Sequence, residues 1–162
     1  MKLFLDMDGC ITDFEGSYKS HYGVDFESDT DKWKKIDKIK DFWSHMPWMS
    51  DGKKLWAFLA PLNPTILTAP SFNAGCRPGK IEWCRRELGA DVPIIVEKNK
   101  QQYADSDSIL IDDRKKNIDA WKAAGGVGIL HTSTSNTIEQ LRQILGESFV
   151  SKVKSRFDIT EK

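Results

Sequence analysis

The chain has 162 residues, 40% of them hydrophobic and 30% charged, the proportions of one globular domain large enough to bury a core. Lysine plus arginine equals aspartate plus glutamate at 24 each, so no global field gathers a polymeric nucleic acid or a membrane surface, and an anionic ligand must be held by a local site. Three cysteines (Cys10, Cys76, Cys84) lack metal-type pairing, no signal-like segment opens the sequence, and no apolar run nears the roughly 18 residues of a membrane span; a reducing, cytoplasmic setting is expected.

In chain order, the first apolar run, 2–5, predicts a strand and ends in Asp6-Met7-Asp8-Gly9-Cys10-Ile11-Thr12-Asp13. Alternation along a strand puts Asp6 and Asp8 on one face, and Gly9 permits a sharp turn that leaves both at the strand's carboxyl end, where open α/β sheets bind ligands. Two carboxylates so close repel unless a cation is shared, and Mg²⁺, which takes oxygen ligands, is the natural partner. One carboxylate can then attack phosphorus while the other handles a proton. An ordinary Asp- and Gly-containing turn is the competing reading.

Residues 14–51 break the strand–helix rhythm with a charged helical stretch over 31–41 and dense aromatics, and are read as a small helical cap inserted after the first strand. Ten of the seventeen Phe, Tyr and Trp residues fall between positions 14 and 58. A base-stacking pocket would account for them, as would the core of a small cap. A helix is predicted over 52–59, then a strand over 65–67 that ends in Thr68-Ala69-Pro70 and so places a hydroxyl at a strand end. Arg77-Pro78-Gly79-Lys80 opens a helix over 79–88; a cation in the first turn opposes the helix dipole, so Lys80 is easier to explain facing an anion. A strand over 93–96 follows, and then Lys98 and Lys100, alternatives to Lys80 that read more simply as solvated loop lysines.

The fourth strand, 108–111, ends in Asp112-Asp113-Arg114, adjacent acids that are costly at the end of a buried strand unless paired or metal-bound. A helix over 115–124 stopped by Gly125-Gly126, a strand over 127–130, a helix over 137–145 and a polar tail over 151–162 complete the chain. Short strands alternating with helices predict a Rossmann-like parallel α/β sheet flanked by helices, its core formed by 1–13 and 52–150.

Asp6-x-Asp8, Thr68, Lys80 and Asp112-Asp113, in that order and at strand ends, resemble the motifs of the haloacid-dehalogenase superfamily over roughly residues 1–131. Within it the chain is most similar to the 5'(3')-deoxyribonucleotidases, through Thr12 to Gly16, Phe42-Trp43 ahead of Met46-Pro47, Leu67 to Pro70, Lys80 with Glu82-Trp83, and Leu110 to Arg114 with Asn117. One departure is Ala69, where that family usually has Ser, which removes or replaces a phosphate contact.

The resemblance implies that Asp6 is the nucleophile, forming an aspartyl-phosphate, and that Asp8 protonates the leaving alkoxide and later activates water. It implies Mg²⁺ held by Asp6, the Asp8 carbonyl and the Asp112-Asp113 pair, with Asp113 the favoured direct ligand. It assigns phosphate oxygens to Thr68 and Lys80, and the substrate to Phe14 and Trp43, with Ala69 and Arg114 beside the phosphate. The expected activity is a Mg²⁺-dependent phosphomonoesterase acting on nucleoside monophosphates. The alternatives are another small phosphomonoester, a polynucleotide 3'-phosphate or a catalytically silent nucleotide-binding module; zero net charge argues against the polymer.

Overall fold

A computed structural model describes residues 1–147, so the polar tail expected over 151–162 lies outside the described residues. Five strands form one parallel sheet: β1 (Lys2–Leu5), β2 (Thr65–Thr68), β3 (Ile94–Val96), β4 (Ser108–Asp112) and β5 (Val127–Leu130), in the order β3-β2-β1-β4-β5. β1 is central, with Phe4 beside Thr65 on one flank and Leu110 on the other. The order reverses at β1, and the crevice of such a sheet opens at the carboxyl ends of its strands.

Alternation sorts the strand residues into two cores. Leu3, Leu5, Ile66, Ile109, Ile111 and Ile129 face one side, where they meet Leu55 and Leu59 of α3 (Gly52–Leu59), Trp83 and Cys84 of α4 (Cys76–Glu87) and Leu141 of α6 (Thr134–Leu145). Phe4, Leu67 and Leu110 face the other, against Ile118 and Trp121 of α5 (Lys115–Ala123). Burial on both faces explains why these strands read as near-continuous apolar runs.

Two helices begin earlier than periodicity placed them, while α3 and α5 start where expected. α4 starts at Cys76, which puts Pro78 in its first turn, and α6 starts at Thr134 because the Ser133 hydroxyl accepts from the Asn136 N–H. The inserted segment contains α1 (Phe14–Tyr22) and α2 (Lys32–Asp37). α1 is capped by Asp13, whose carboxylate accepts from the Gly16 N–H, and closes at Gly23 in the left-handed region. The helix expected over 31–41 is confined to Lys32–Asp37. Asp41 adopts a φ of 58°, a reversal that turns the following Phe42 and Trp43 inward, where both are buried.

The insertion shares its core with the sheet: Tyr18, Phe26, Ile36, Phe42, Trp43 and Met46 belong to the same buried cluster as Leu3, Leu5 and Met7. Polar ties add to this. The Trp83 indole N–H donates to the Met46 carbonyl at 2.8 Å, and the buried Asn73 amide donates to the Trp33 carbonyl at 2.9 Å and to Asp37 at 2.7 Å. At Gly79 a Cβ would stand 2.6 Å from Trp43 Cβ, so glycine is what lets the insertion rest on α4.

Candidate active site

The carboxyl ends of β1, β2 and β4 and the turn after β3 converge on one cluster. Beyond Leu5 the chain curls tightly, the Met7 carbonyl accepting from the N–H groups of Cys10, Ile11 and Thr12. Gly9 has a φ of 86°, and the Asp113 carboxylate occupies the space its side chain would fill, an added Cβ lying 2.1 Å from Asp113 Oδ2. A larger residue there would both strain the turn and expel Asp113.

Two lysines divide the acids between them. Lys100 donates to Asp6 Oδ1 at 2.8 Å and to Asp112 Oδ2 at 2.7 Å; all three side chains are buried. Lys80, also buried, donates to Asp8 Oδ2 at 2.9 Å, to Thr68 Oγ1 at 2.8 Å and to the Ala69 carbonyl at 2.8 Å, engaging its three protons. The other Asp8 oxygen accepts from the Thr12 hydroxyl at 2.8 Å. Both oxygens of Asp112 are occupied, Oδ1 by the Arg114 N–H and Oδ2 by Asn117 and Lys100. Asp113, closer to solvent, is instead gathered with Asp6 and Cys10, one donor atom from each lying within 4.8 Å of the others.

Electrostatics follow from burial. Removal from water pushes the Asp6 carboxyl above its ordinary value, although Lys100 pulls against it. Burial, then the nearby Asp6 and Asp112 charges, raise Asp113 to about 7. Burial alone would lower both lysines; Asp6 and Asp112 outweigh it for Lys100, Asp8 for Lys80, and both ammonium groups end above the usual lysine value. Burial lifts the Cys10 thiol well above its usual range, with Asp6 and Asp113 adding to the effect.

The donor chemistry fits a hard divalent cation. Asp6 and Asp112 share the Lys100 ammonium, while Asp113 has no hydrogen bond to it; burial first, and the crowding of like charges after it, raise the Asp6 and Asp113 carboxyls. Asp6 and Asp113 are the side chains free to hold such an ion.

The sequence-expected residues divide into those at the cluster and those beside it. Asp6, Asp8, Thr68, the Ala69 carbonyl, Lys80, Asp112 and Asp113 are brought together. Arg114 is exposed; its backbone N–H donates to Asp112 Oδ1, and its guanidinium charge draws the Asp113 carboxyl down against the stronger raising effects. Phe14 and Trp43 stack on each other, 5.5 Å between centroids at 24°, and the Lys80 ammonium lies 5.4 Å from the Trp43 ring centre. Trp43 is only 5% exposed, with Phe42 edge-on at 5.2 Å. A cavity of about 270 Å³ between the insertion and α4, lined by Ile36, Phe42, Trp43 and Gly79 among others, shares no lining residue with the acid cluster.

Lys100 corrects its simpler reading as a solvated loop residue; Lys98 is exposed as expected. Lys100 follows β3, and the loops after parallel strands all emerge at the same edge of the sheet, so a lysine just past a third strand belongs beside Asp6 and Asp112 on topology alone. Thr12 and Asn117 also enter the site, as hydrogen-bond partners of Asp8 and Asp112.

No protein-family model matches the sequence, and no curated protein is similar enough to count as a relative. Solved structures do match. A hydrolase from Streptococcus pneumoniae TIGR4 superposes with a TM-score of 0.52 at 17% identity, covering 89% of this chain and 97% of that one. A HAD-superfamily hydrolase from Ehrlichia chaffeensis gives 0.50 at 10% identity over 90% and 97%. The L-2-haloacid dehalogenase from Xanthobacter autotrophicus with chloropropionic acid covalently bound gives 0.52 at 9% identity over 90% and 83%. At these identities the likeness is one of fold: the five-stranded parallel sheet and its helices are those of HAD-superfamily hydrolases.

Proposed function

We propose that the chain is a phosphomonoesterase that works through an aspartyl-phosphate on Asp6, with Mg²⁺ bound, and that its substrate is a nucleoside monophosphate. The observation that carries this reading is the pairing of each catalytic acid with its own buried lysine, Lys100 on Asp6 and Lys80 on Asp8. Lys100 fixes one oxygen of Asp6 and balances its charge, leaving the second oxygen to attack phosphorus. Asp8, oriented by Thr12, delivers a proton to the departing alkoxide and then takes one from the water that hydrolyses the acyl-phosphate. Lys80, already against Thr68, transfers from Asp8 to a phosphoryl oxygen when substrate binds, which releases Asp8 to carry that proton. Asp6 and Asp113, with the Asp8 carbonyl, would hold the cation, which would supply charge neutralisation and orientation of the phosphoryl group.

Asp8 also separates this reading from displacement of a halide at carbon. A halide departs as a stable anion and needs no proton, whereas an alkoxide does, so an acid two residues from the nucleophile favours an oxygen leaving group. Phe14, only partly buried and backed by Trp43 beside Lys80, supports a base-bearing substrate, since each base has a face to stack. The test is phosphate release from a panel of nucleoside, sugar and aryl monophosphates with and without Mg²⁺, alongside 2-haloacids. Cation-dependent release, strongest for nucleotides, is expected. Halide release without any phosphate release would overturn the proposal.

A further inference from the structure

We infer that Cys10 supplies a sulfur ligand to the cation held by Asp6 and Asp113, so that this centre binds thiophilic divalent cations such as Zn²⁺, Co²⁺ or Cd²⁺ through two oxygens and one sulfur. The inference rests on the reading of Asp6 and Asp113 as cation ligands, and extends it to a residue that reading leaves idle.

Geometry comes first. Donor atoms of Asp6, Cys10 and Asp113 lie within 4.8 Å of one another. At the tetrahedral angles zinc takes, bonds of about 2.2 and 2.3 Å set two ligands of one ion roughly 3.7 Å apart, so side-chain rotations that draw the three donors in by up to about 1 Å close the set. The backbone already holds this arrangement: the Cys10 N–H donates to the Met7 carbonyl at 3.0 Å, and Gly9 makes room for Asp113 directly before it.

The second observation concerns the thiol. All three cysteines are buried, but two have partners: the Cys84 thiol donates to the Met7 sulfur at 3.7 Å, and the Cys76 sulfur accepts from the Ser71 N–H at 3.3 Å. Cys10 is 0% exposed, and among the described residues its sulfur has no hydrogen-bond partner although it faces two carboxylates. As a space filler the thiol leaves its weak S–H donor unused beside two carboxylates; as a metal ligand its lone pairs have a use. Mg²⁺ prefers oxygen and leaves the sulfur aside, whereas a softer cation displaces the thiol proton to solvent as the sulfur–metal bond forms. No electron is transferred in that exchange.

The experiment is optical and does not read turnover. The full chain loaded with Co²⁺ should show a thiolate-to-cobalt charge-transfer band in the near ultraviolet, kept in Cys84→Ser and lost in Cys10→Ser. Loss of an outer-sphere partner alone weakens metal sites roughly 10- to 100-fold, so Cys10→Ser should weaken Cd²⁺ binding at least about tenfold while Mg²⁺ binding is nearly unchanged. Circular dichroism and a parallel Cys10→Ala variant control for folding. Cobalt-loaded wild type without the band overturns the inference whatever the variants do, as does a band that survives Cys10→Ser. Mg²⁺-dependent phosphate release with no band would reject this inference and keep the proposed function; a band without phosphate release would do the reverse.

Discussion

The carboxyl edge of the sheet and the inserted segment of residues 14–51 are built from opposite materials. At the edge, Asp6, Asp112, Lys80 and Lys100 are charged and nearly inaccessible, each held by partners from a different strand or loop. Taking such ions out of water costs several kcal/mol apiece, and pairing returns that only in part, so the arrangement is poor for stability and sensible for chemistry. In the insertion, Phe14, Phe26, Phe42 and Trp43 meet ring to ring at 4.8 to 5.7 Å, contacts that add stability and place no charge. Directional charge is therefore the ground for proposing the edge as the place of reaction, while non-directional packing in the insertion serves a pocket and a core equally well.

Substitutions at the edge should strike activity and spare the fold. Asp6→Asn is expected to abolish turnover, since an amide cannot attack phosphorus, with a melting temperature equal to or above wild type because one of three crowded carboxylates is gone. Phosphate release within about tenfold of wild type would end Asp6's assignment as nucleophile. Asp8→Asn should cost roughly 10²- to 10⁴-fold, least for substrates with good leaving groups. An equal loss across leaving groups would make Asp8 a mere anchor for Lys80.

In the insertion the balance should tilt the other way. Trp43, buried against Phe42 and stacked on Phe14, should cost about 3 to 5 kcal/mol of stability when cut to Ala, with activity on every substrate falling together. Phe14 is only partly buried and should separate from it. Phe14→Ala is expected to raise KM for nucleotides by about 1 to 3 kcal/mol, roughly tenfold to a hundredfold, with little change for a small aryl phosphate. Parallel losses on both substrates, tracking a lower melting temperature, would make Phe14 core as well and remove the aromatic support for a nucleotide.

The same contrast governs what could be read from the sequence. Asp6, Asp8, Asp112 and Asp113 were legible because a charge at the end of an apolar run is costly and so conspicuous, and Thr68 because its hydroxyl ends a strand that its own apolar run fixes. Lys100 was less so: it stands in a short turn with no apolar run of its own, and only the strand order shows that the turn after β3 opens beside β1 and β4. The insertion was legible in composition and opaque in detail. Its helix stops at Asp37 and the chain reverses at Asp41, a left-handed aspartate that periodicity does not signal, and that reversal decides which aromatics are buried.

The smallest expected effect tests the edge without any substrate. In the cation-free protein Asp113 holds its proton up to about pH 7, against 3.8 ordinarily, because it is partly withdrawn from water and lies beside Asp6 and Asp112. Between those values the folded chain binds more protons than the unfolded one, so stability is fully present below about pH 4 and is lost as the pH rises through about 7. Asp6, raised in the same direction, reinforces the trend, and the two titrate as a pair. Melting temperatures in chelator should therefore fall across that window by more for wild type than for Asp113→Asn, which has no proton to lose. Saturating Mg²⁺ should flatten the wild-type curve, since a bound cation keeps both carboxylates ionised at every pH in the window and stabilises the fold by mass action. Phe14→Ala and Trp43→Ala, which remove packing and no titrating group, should lower the whole curve and leave its slope alone. A slope that changes in the aromatic variants, or that survives intact in Asp113→Asn, would show that the charge cluster and the insertion are not the separate devices their contacts describe.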